Sequence, residues 1–194
     1  GGCWSQQVGS SMEDKKNAKL KQIESIVCVD DDFYENVDHN LILKQPNLML
    51  DDFLYLGNGT VAKNIPLLDS HNITYVLNVA GHSVETGPDY YPSERFRYCE
   101  IKAEDEDGYP ILSHFEEVFE FLEEAKRKGE KAFIHCAAGM NRSGALCVAY
   151  CMVEKEWELV DTVRHCFERR PVILTNKSFR EQLIDFEVER MKKD

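Results

Sequence analysis

Apolar and polar positions fall into two rhythms along this chain. Short runs rich in β-branched and aromatic residues lie at 52–57, 74–79, 95–101 and 131–135. The run at 74–79, Thr-Tyr-Val-Leu-Asn-Val, is apolar almost throughout, as a strand covered on both faces must be. The run at 95–101 alternates charged and apolar residues and suits a half-exposed strand. Between the runs the period lengthens to that of a helix. Phe115, Val118, Phe119, Leu122 and Ala125 share one face. Ser113 and Glu116 are spaced as a capping box ahead of that face. Lys126, Arg127, Lys128 and Gly129 stand at its far end, where cations and a left-handed glycine close a helix. Residues 144–153 are apolar nearly all round and predict a buried helix. Residues 159–169 are amphipathic and stop ahead of Pro171. Residues 178–191 put Phe179, Leu183, Phe186 and either Val188 or Met191 on one side. Strands alternating with helices predict an α/β domain with a mostly parallel sheet.

The first 30 residues break this pattern. The stretch 10–21 is polar and carries Lys15, Lys16, Lys19 and Lys21. Residues 1–30 therefore read as an N-terminal tail or extra helix, and residues 31–194 as one domain. A length of 194 residues with 43% hydrophobic residues is enough for one sizeable core. No apolar stretch is long enough to span a bilayer, and no secretory leader is visible at the first residues. The net charge of −12 makes the chain a poor generic binder of nucleic acid. Seven cysteines, an odd number without a C-x-x-C pair, fit reduced thiols in a cytoplasmic or nuclear setting. Gly1-Gly-Cys-Trp-Ser5 would match a myristoylation pattern behind an initiator methionine, with Cys3 as a second lipid site. A plain tail is the other reading of that segment.

The stretch Ile134-His-Cys-Ala-Ala-Gly-Met-Asn-Arg-Ser-Gly144 concentrates the chemistry. A buried strand ends at His135, a tight turn runs from Cys136 to Arg142, and a buried helix follows. Such a turn aims successive backbone N–H groups inward at the positive end of a helix dipole. Gly139 permits a backbone bend that other residues resist. Arg142 adds a planar fork of donors matched to phosphate oxygens. The turn is a cradle for a dianion, with His135, Ala137, Ala138, Gly139, Met140, Asn141 and Arg142 lining it. A thiol at the mouth of such a cradle ionises readily and makes a nucleophile. Cys136 is therefore the candidate for attack on a bound phosphorus. His135-Cys136 lacks partners at zinc-ligand spacing, and the chemistry needs no metal or cofactor.

The segment His135-Cys-Ala-Ala-Gly-Met-Asn-Arg-Ser143 resembles the signature loop of cysteine-dependent protein phosphatases, most closely the small dual-specificity type. Residues 47–57, 72–80 and 176–183 resemble the same family, so the likeness extends over roughly residues 46–190. The resemblance implies a twisted, mainly parallel five-stranded sheet flanked by helices. It implies that Cys136 is the nucleophile, that Arg142 binds phosphate, that Ser143 assists the sulfur as leaving group, and that His135 supports the loop. It implies phosphorylated protein as the substrate and hydrolysis of phosphotyrosine and phosphoserine/threonine through a phosphocysteine.

A phosphoester's leaving oxygen needs a proton. The loop Ala103-Glu-Asp-Glu-Asp-Gly-Tyr-Pro110 offers four carboxylates. Family likeness favours Asp105 as the general acid, with Asp107 second. Two other readings remain open at this stage. Asn141 before the arginine and Gly144 after the hydroxyl residue also resemble RNA 5′-triphosphatases of the capping type. A catalytically weak phospho-binding module is the third reading, although such proteins usually lose the cysteine, the arginine or the acid. Cys147 and Cys151 read as core residues, with one of them a resolving partner for an oxidised Cys136 as the alternative. Asn78 and Asn176 are either loop ties or ordinary caps. Arg169 and Arg170 are either a rim cation or a helix C-terminal pair. His71, His82, His114 and His165 have no evident partner in the sequence.

Overall fold

A computed structural model describes residues 11–192. The elements in chain order are α1 (Met12–Val27), α2 (Asp31–Glu35), α3 (His39–Lys44), β1 (Asn47–Leu50), β2 (Leu54–Gly57), α4 (Gly59–Ala62), α5 (Ile65–Ser70), β3 (Ile73–Asn78), β4 (Arg97–Glu100), α6 (Phe115–Arg127), β5 (Lys131–His135), α7 (Arg142–Lys155), α8 (Leu159–Arg169) and α9 (Lys177–Met191). Two short 3₁₀ turns, Pro88–Tyr90 and Ile111–His114, complete it.

The strands form one five-stranded sheet in the order β1-β2-β5-β3-β4. Strands β2, β5, β3 and β4 run parallel, and β1 pairs antiparallel with β2 at one edge. Period-two alternation divides the strand residues between two cores. Leu54, Leu56, Leu77, Ala132 and Ile134 face the large core under α1 and α6–α9. Tyr55, Val76 and Phe133 face a smaller core with Val61, Ala62 and Leu68 of α4 and α5.

The parallel register places the site. Gly57 and Asn78 both sit opposite His135, so three strands end side by side. The loops after β2, β3, β4 and β5 therefore leave one edge together, the edge where open α/β sheets bind ligands.

The expected helices and strands appear within a few residues of their predicted bounds, with three differences. The Ser113–Glu116 capping box does not form. Ser113 lies inside the 3₁₀ turn, where its hydroxyl donates to the Pro110 carbonyl (2.7 Å), and α6 begins at Phe115 without a side-chain cap. A capping box forms instead at the start of α1, between Ser11 and Asp14. On α9, Phe186 is only partly buried and Met191 is exposed, while Ile184 and Glu187 are buried. The helix packs against α1 as well as α7 and α8, so it covers more than one face. Of the polar stretch, residues 12–21 are helix: α1 buries Leu20, Ile23 and Val27 against α8 and α9. The lipid-anchor reading of Gly1 and Cys3 falls outside the described residues.

Candidate active site

The turn between β5 and α7 is held open by its carbonyls. His135 O accepts from Val79 N (2.8 Å), Ala137 O from Gly59 N (3.0 Å) and Met140 O from Leu174 N (3.1 Å). Ala138 O and Gly139 O accept from the Arg170 guanidinium at 3.0 and 2.7 Å. With the carbonyls turned outward to named donors, the N–H groups turn inward, which is the arrangement that binds an anion. Gly139 sits at φ +67°, and a Cβ there would lie 2.2 Å from the Gly57 carbonyl oxygen. Only glycine fits against the end of β2 in that conformation.

Inside the turn the Cys136 sulfur accepts from Gly139 N (3.2 Å) and from the Ser143 hydroxyl (3.2 Å). The side chain is 1% exposed. Arg142, the first residue of α7, is buried and donates from Nη1 to Ala103 O (3.2 Å) and Ser83 Oγ (3.3 Å). Its Nε is buried without a partner among the described residues, so part of the fork remains free for an oxyanion. His135 is fully buried, its ring stacked on Phe133 and its Nδ1 near the Cys136 carbonyl (3.3 Å). Burial pushes its pKa down to about 4, so the imidazole is neutral.

The acid loop lies beside this turn. Asp105 is exposed, yet both of its oxygens are held: Oδ2 by Asn141 Nδ2 (3.1 Å) and Oδ1 by Asn176 Nδ2 (3.0 Å). Ser178 Oγ accepts from Gly108 N (3.0 Å) and ties the far end of the same loop to α9. Asp107 is exposed and makes no hydrogen bond or ion pair among the described residues. The structure thus brings Asp105, and not Asp107, against the turn that carries Cys136 and Arg142.

Arg170 is the residue whose place the sequence did not settle. Arg169 and Arg170 do close the C-terminus of α8, but the Arg170 side chain is not a rim cation. It is 0% exposed beneath the turn and also donates to Asn47 Oδ1 (2.7 Å) and to the Ile42 carbonyl. Burial pushes the guanidinium pKa down to about 10, opposed by attraction to Cys136, so it stays cationic at neutral pH. The only signal in the sequence was the Arg-Arg-Pro at 169–171, ambiguous without its distant partners. Asn78 is a loop tie, and Asn176 is both a tie and a cap. Asn78 holds Val84 O (2.8 Å), and Asn176 caps α9 while reaching Asp105. Cys147 and Cys151 are buried core residues. The four histidines find partners after all: His82 pairs with Glu104 (3.6 Å), His114 with the Tyr109 hydroxyl (2.8 Å), His165 with the Met49 carbonyl (2.7 Å) and His71 with the Leu67 carbonyl (3.0 Å). Among the described residues no cluster of histidine, cysteine or carboxylate groups is arranged to hold a metal ion.

Comparison with known proteins agrees with this geometry. The family described as dual specificity phosphatase, catalytic domain, matches residues 54–189. Dual specificity protein phosphatase 1 of Arabidopsis thaliana is 33% identical over 175 residues, covering 90% of this chain and 83% of that protein. Protein phosphatase Slingshot homolog 3 of Homo sapiens is 35% identical over 130 residues, covering 67% of this chain. The chain spans only 19% of that protein, and 25% of the Xenopus laevis Slingshot homolog. The crystal structure of DUSP15 superimposes with a TM-score of 0.68 at 27% identity, covering 77% of this chain and 91% of that one. A mouse dual specificity phosphatase complexed with zinc tungstate does so with a TM-score of 0.68 at 26% identity, covering 76% and 89%. The chain belongs to the dual specificity phosphatase catalytic-domain family.

Proposed function

We propose that this chain is a cysteine-dependent protein phosphatase that hydrolyses phosphotyrosine and phosphoserine/threonine through a phosphocysteine. One observation carries the reading. The buried Cys136 sulfur accepts from the Gly139 N–H and the Ser143 hydroxyl in a turn whose carbonyls point outward, and the buried Arg142 opens α7 at the end of that turn.

In the first step the sulfur attacks phosphorus and the P–O ester bond breaks. Asp105 gives its proton to the departing oxygen, while the amides and the Arg142 fork hold the equatorial oxygens in the transition state. In the second step the Asp105 carboxylate takes a proton from water, which attacks phosphorus. The S–P bond breaks, and the Ser143 hydroxyl, already donating to the sulfur, supports the departing thiolate. The products are the dephosphorylated side chain and inorganic phosphate. His135 acts on the loop alone, because its ring is buried behind the strand end.

A carboxyl held beside the turn also favours ester substrates over the capping-type RNA reading. A triphosphate's leaving group is a stable anion that gains less from a proton. The charge of −12 points the same way. The test is hydrolysis of para-nitrophenyl phosphate and of phosphotyrosine and phosphothreonine peptides by the wild type and by Cys136→Ser. Turnover should fall at least about 1000-fold in the variant, with the oxyanion still bound. Retained turnover in Cys136→Ser would falsify the assignment. Release of the terminal phosphate from triphosphorylated RNA in preference to peptide would favour the other reading.

A further inference from the structure

We infer that Asn141 is a positioning residue that ties the Asp105 carboxyl to the phosphate-binding turn, so that the acid moves with the loop that binds phosphate. The inference rests on the reading of Asp105 as the general acid.

Asn141 is 7% exposed, and both the oxygen and the nitrogen of its side-chain amide are engaged. Its Oδ1 accepts from the Asn176 backbone N–H (2.9 Å) and the Thr175 hydroxyl (3.1 Å). Two donors on one side fix which way the amide faces, since an amide nitrogen there would meet N–H against N–H. Its Nδ2 is thereby aimed at Asp105 Oδ2, 3.1 Å away. The neighbouring Asn176 completes the arrangement from α9. Its own Oδ1 is occupied by Ser178 N and Ser178 Oγ at 3.0 Å each, and its Nδ2 holds the other Asp105 oxygen.

Asp105 stands on an exposed loop, where a carboxylate would otherwise sample several rotamers. The two links differ in what they couple. Asn176 joins the acid to a helix cap. Asn141 joins it to the turn itself, at the position immediately before Arg142. Asn141 makes no side-chain cap to its own helix, although asparagine commonly serves as one. Its amide is committed elsewhere, to the α8–α9 connection and the acid loop.

The experiment measures kcat/KM, which reports the step that breaks the P–O ester bond, for a series of aryl phosphates whose leaving groups range from 4-nitrophenol to phenol. It compares the wild type, Asn141→Ala, Asp105→Asn and Thr175→Val. A mispositioned acid penalises poor leaving groups and spares good ones. Asn141→Ala should lose about 10-fold or more in kcat/KM on phenyl phosphate and less than about 3-fold on 4-nitrophenyl phosphate. Vanadate inhibition should stay within about 2-fold of wild type, because the Asn141 side chain is bonded to Asp105, Thr175 and Asn176 while the turn offers an oxyanion its backbone N–H groups and Arg142, which a collapsed turn would not do. Thr175→Val, which removes only one Oδ1 contact, should keep the wild-type dependence. If Asn141→Ala fails to fold, Asn141→Ser carries the same expectation, because its hydroxyl is too short to reach Asp105. A wild-type leaving-group dependence in the Asn141 variant alongside a steep one in Asp105→Asn overturns the inference and leaves the acid assignment standing. A wild-type dependence in Asp105→Asn overturns both.

Discussion

A single buried cation carries much of the structural burden at the site. Arg170 donates to the carbonyls of Ala138, Gly139 and Ile42 and to the Asn47 side chain. A buried acceptor left without its donor costs on the order of 1–3 kcal/mol. Arg170→Met should therefore destabilise the protein by about 3 kcal/mol or more, read as a lower midpoint in urea. The phosphate-binding turn should also loosen, with kcat/KM on phosphopeptide down at least about 10-fold. Arg170→Lys should rescue little, because one ammonium cannot span acceptors in a planar fork. A variant with wild-type stability and turnover would show that the turn holds its shape without this support. The cysteine, the arginine and the glycine of the turn were legible in the sequence because their spacing is dictated by one local geometry. Arg170 and the side-chain role of Asn141 were not, because their partners lie elsewhere: 123 residues away for Asn47 and 36 for Asp105.

Elements were legible where a single face is buried. The sequence of α8 runs from Leu159 to Arg169 in one amphipathic pattern, and the helix has those bounds. It misled where two faces are buried or where polar groups do the packing. In α9, Glu187 is 4% exposed, and its carboxylate is satisfied by the Leu159 N–H at the start of α8 (2.7 Å) and by Lys19 of α1. No hydrophobic periodicity announces such a contact. Lys16 and Asp185 join the same two helices at 2.7 Å, but in solvent. Burial decides between the pairs. Glu187→Ala should cost about 2–3 kcal/mol, because it strips a helix start and leaves a buried N–H unmet. Lys16→Ala should cost under about 0.5 kcal/mol. Thermal unfolding of the two variants side by side checks the ranking, and equal losses would contradict it.

At the scale of the whole molecule, one neutral histidine makes stability depend on pH. His135 titrates at about 4 in the fold against an ordinary value of 6.5. Between those values the unfolded chain binds a proton that the folded chain does not, so stability falls as pH falls from about 6.5 to about 4, and this contribution is flat above about 7.5. The 2.5-unit difference corresponds to about 3 kcal/mol. Urea unfolding of the wild type and of His135→Asn across that range should give curves that converge towards acid. Parallel curves would show that the imidazole does not govern the acid limb. Sheet order, too, lay beyond sequence patterning, since the edge pairing of β1 depends on contacts that only the assembled domain makes. The reach of Arg170 has a practical corollary for anyone dissecting this protein. The matched catalytic-domain region begins at residue 54, yet two of the oxygens that anchor this guanidinium belong to Ile42 and Asn47. A fragment trimmed to the recognisable region would keep every reactive group and discard the footing on which they stand.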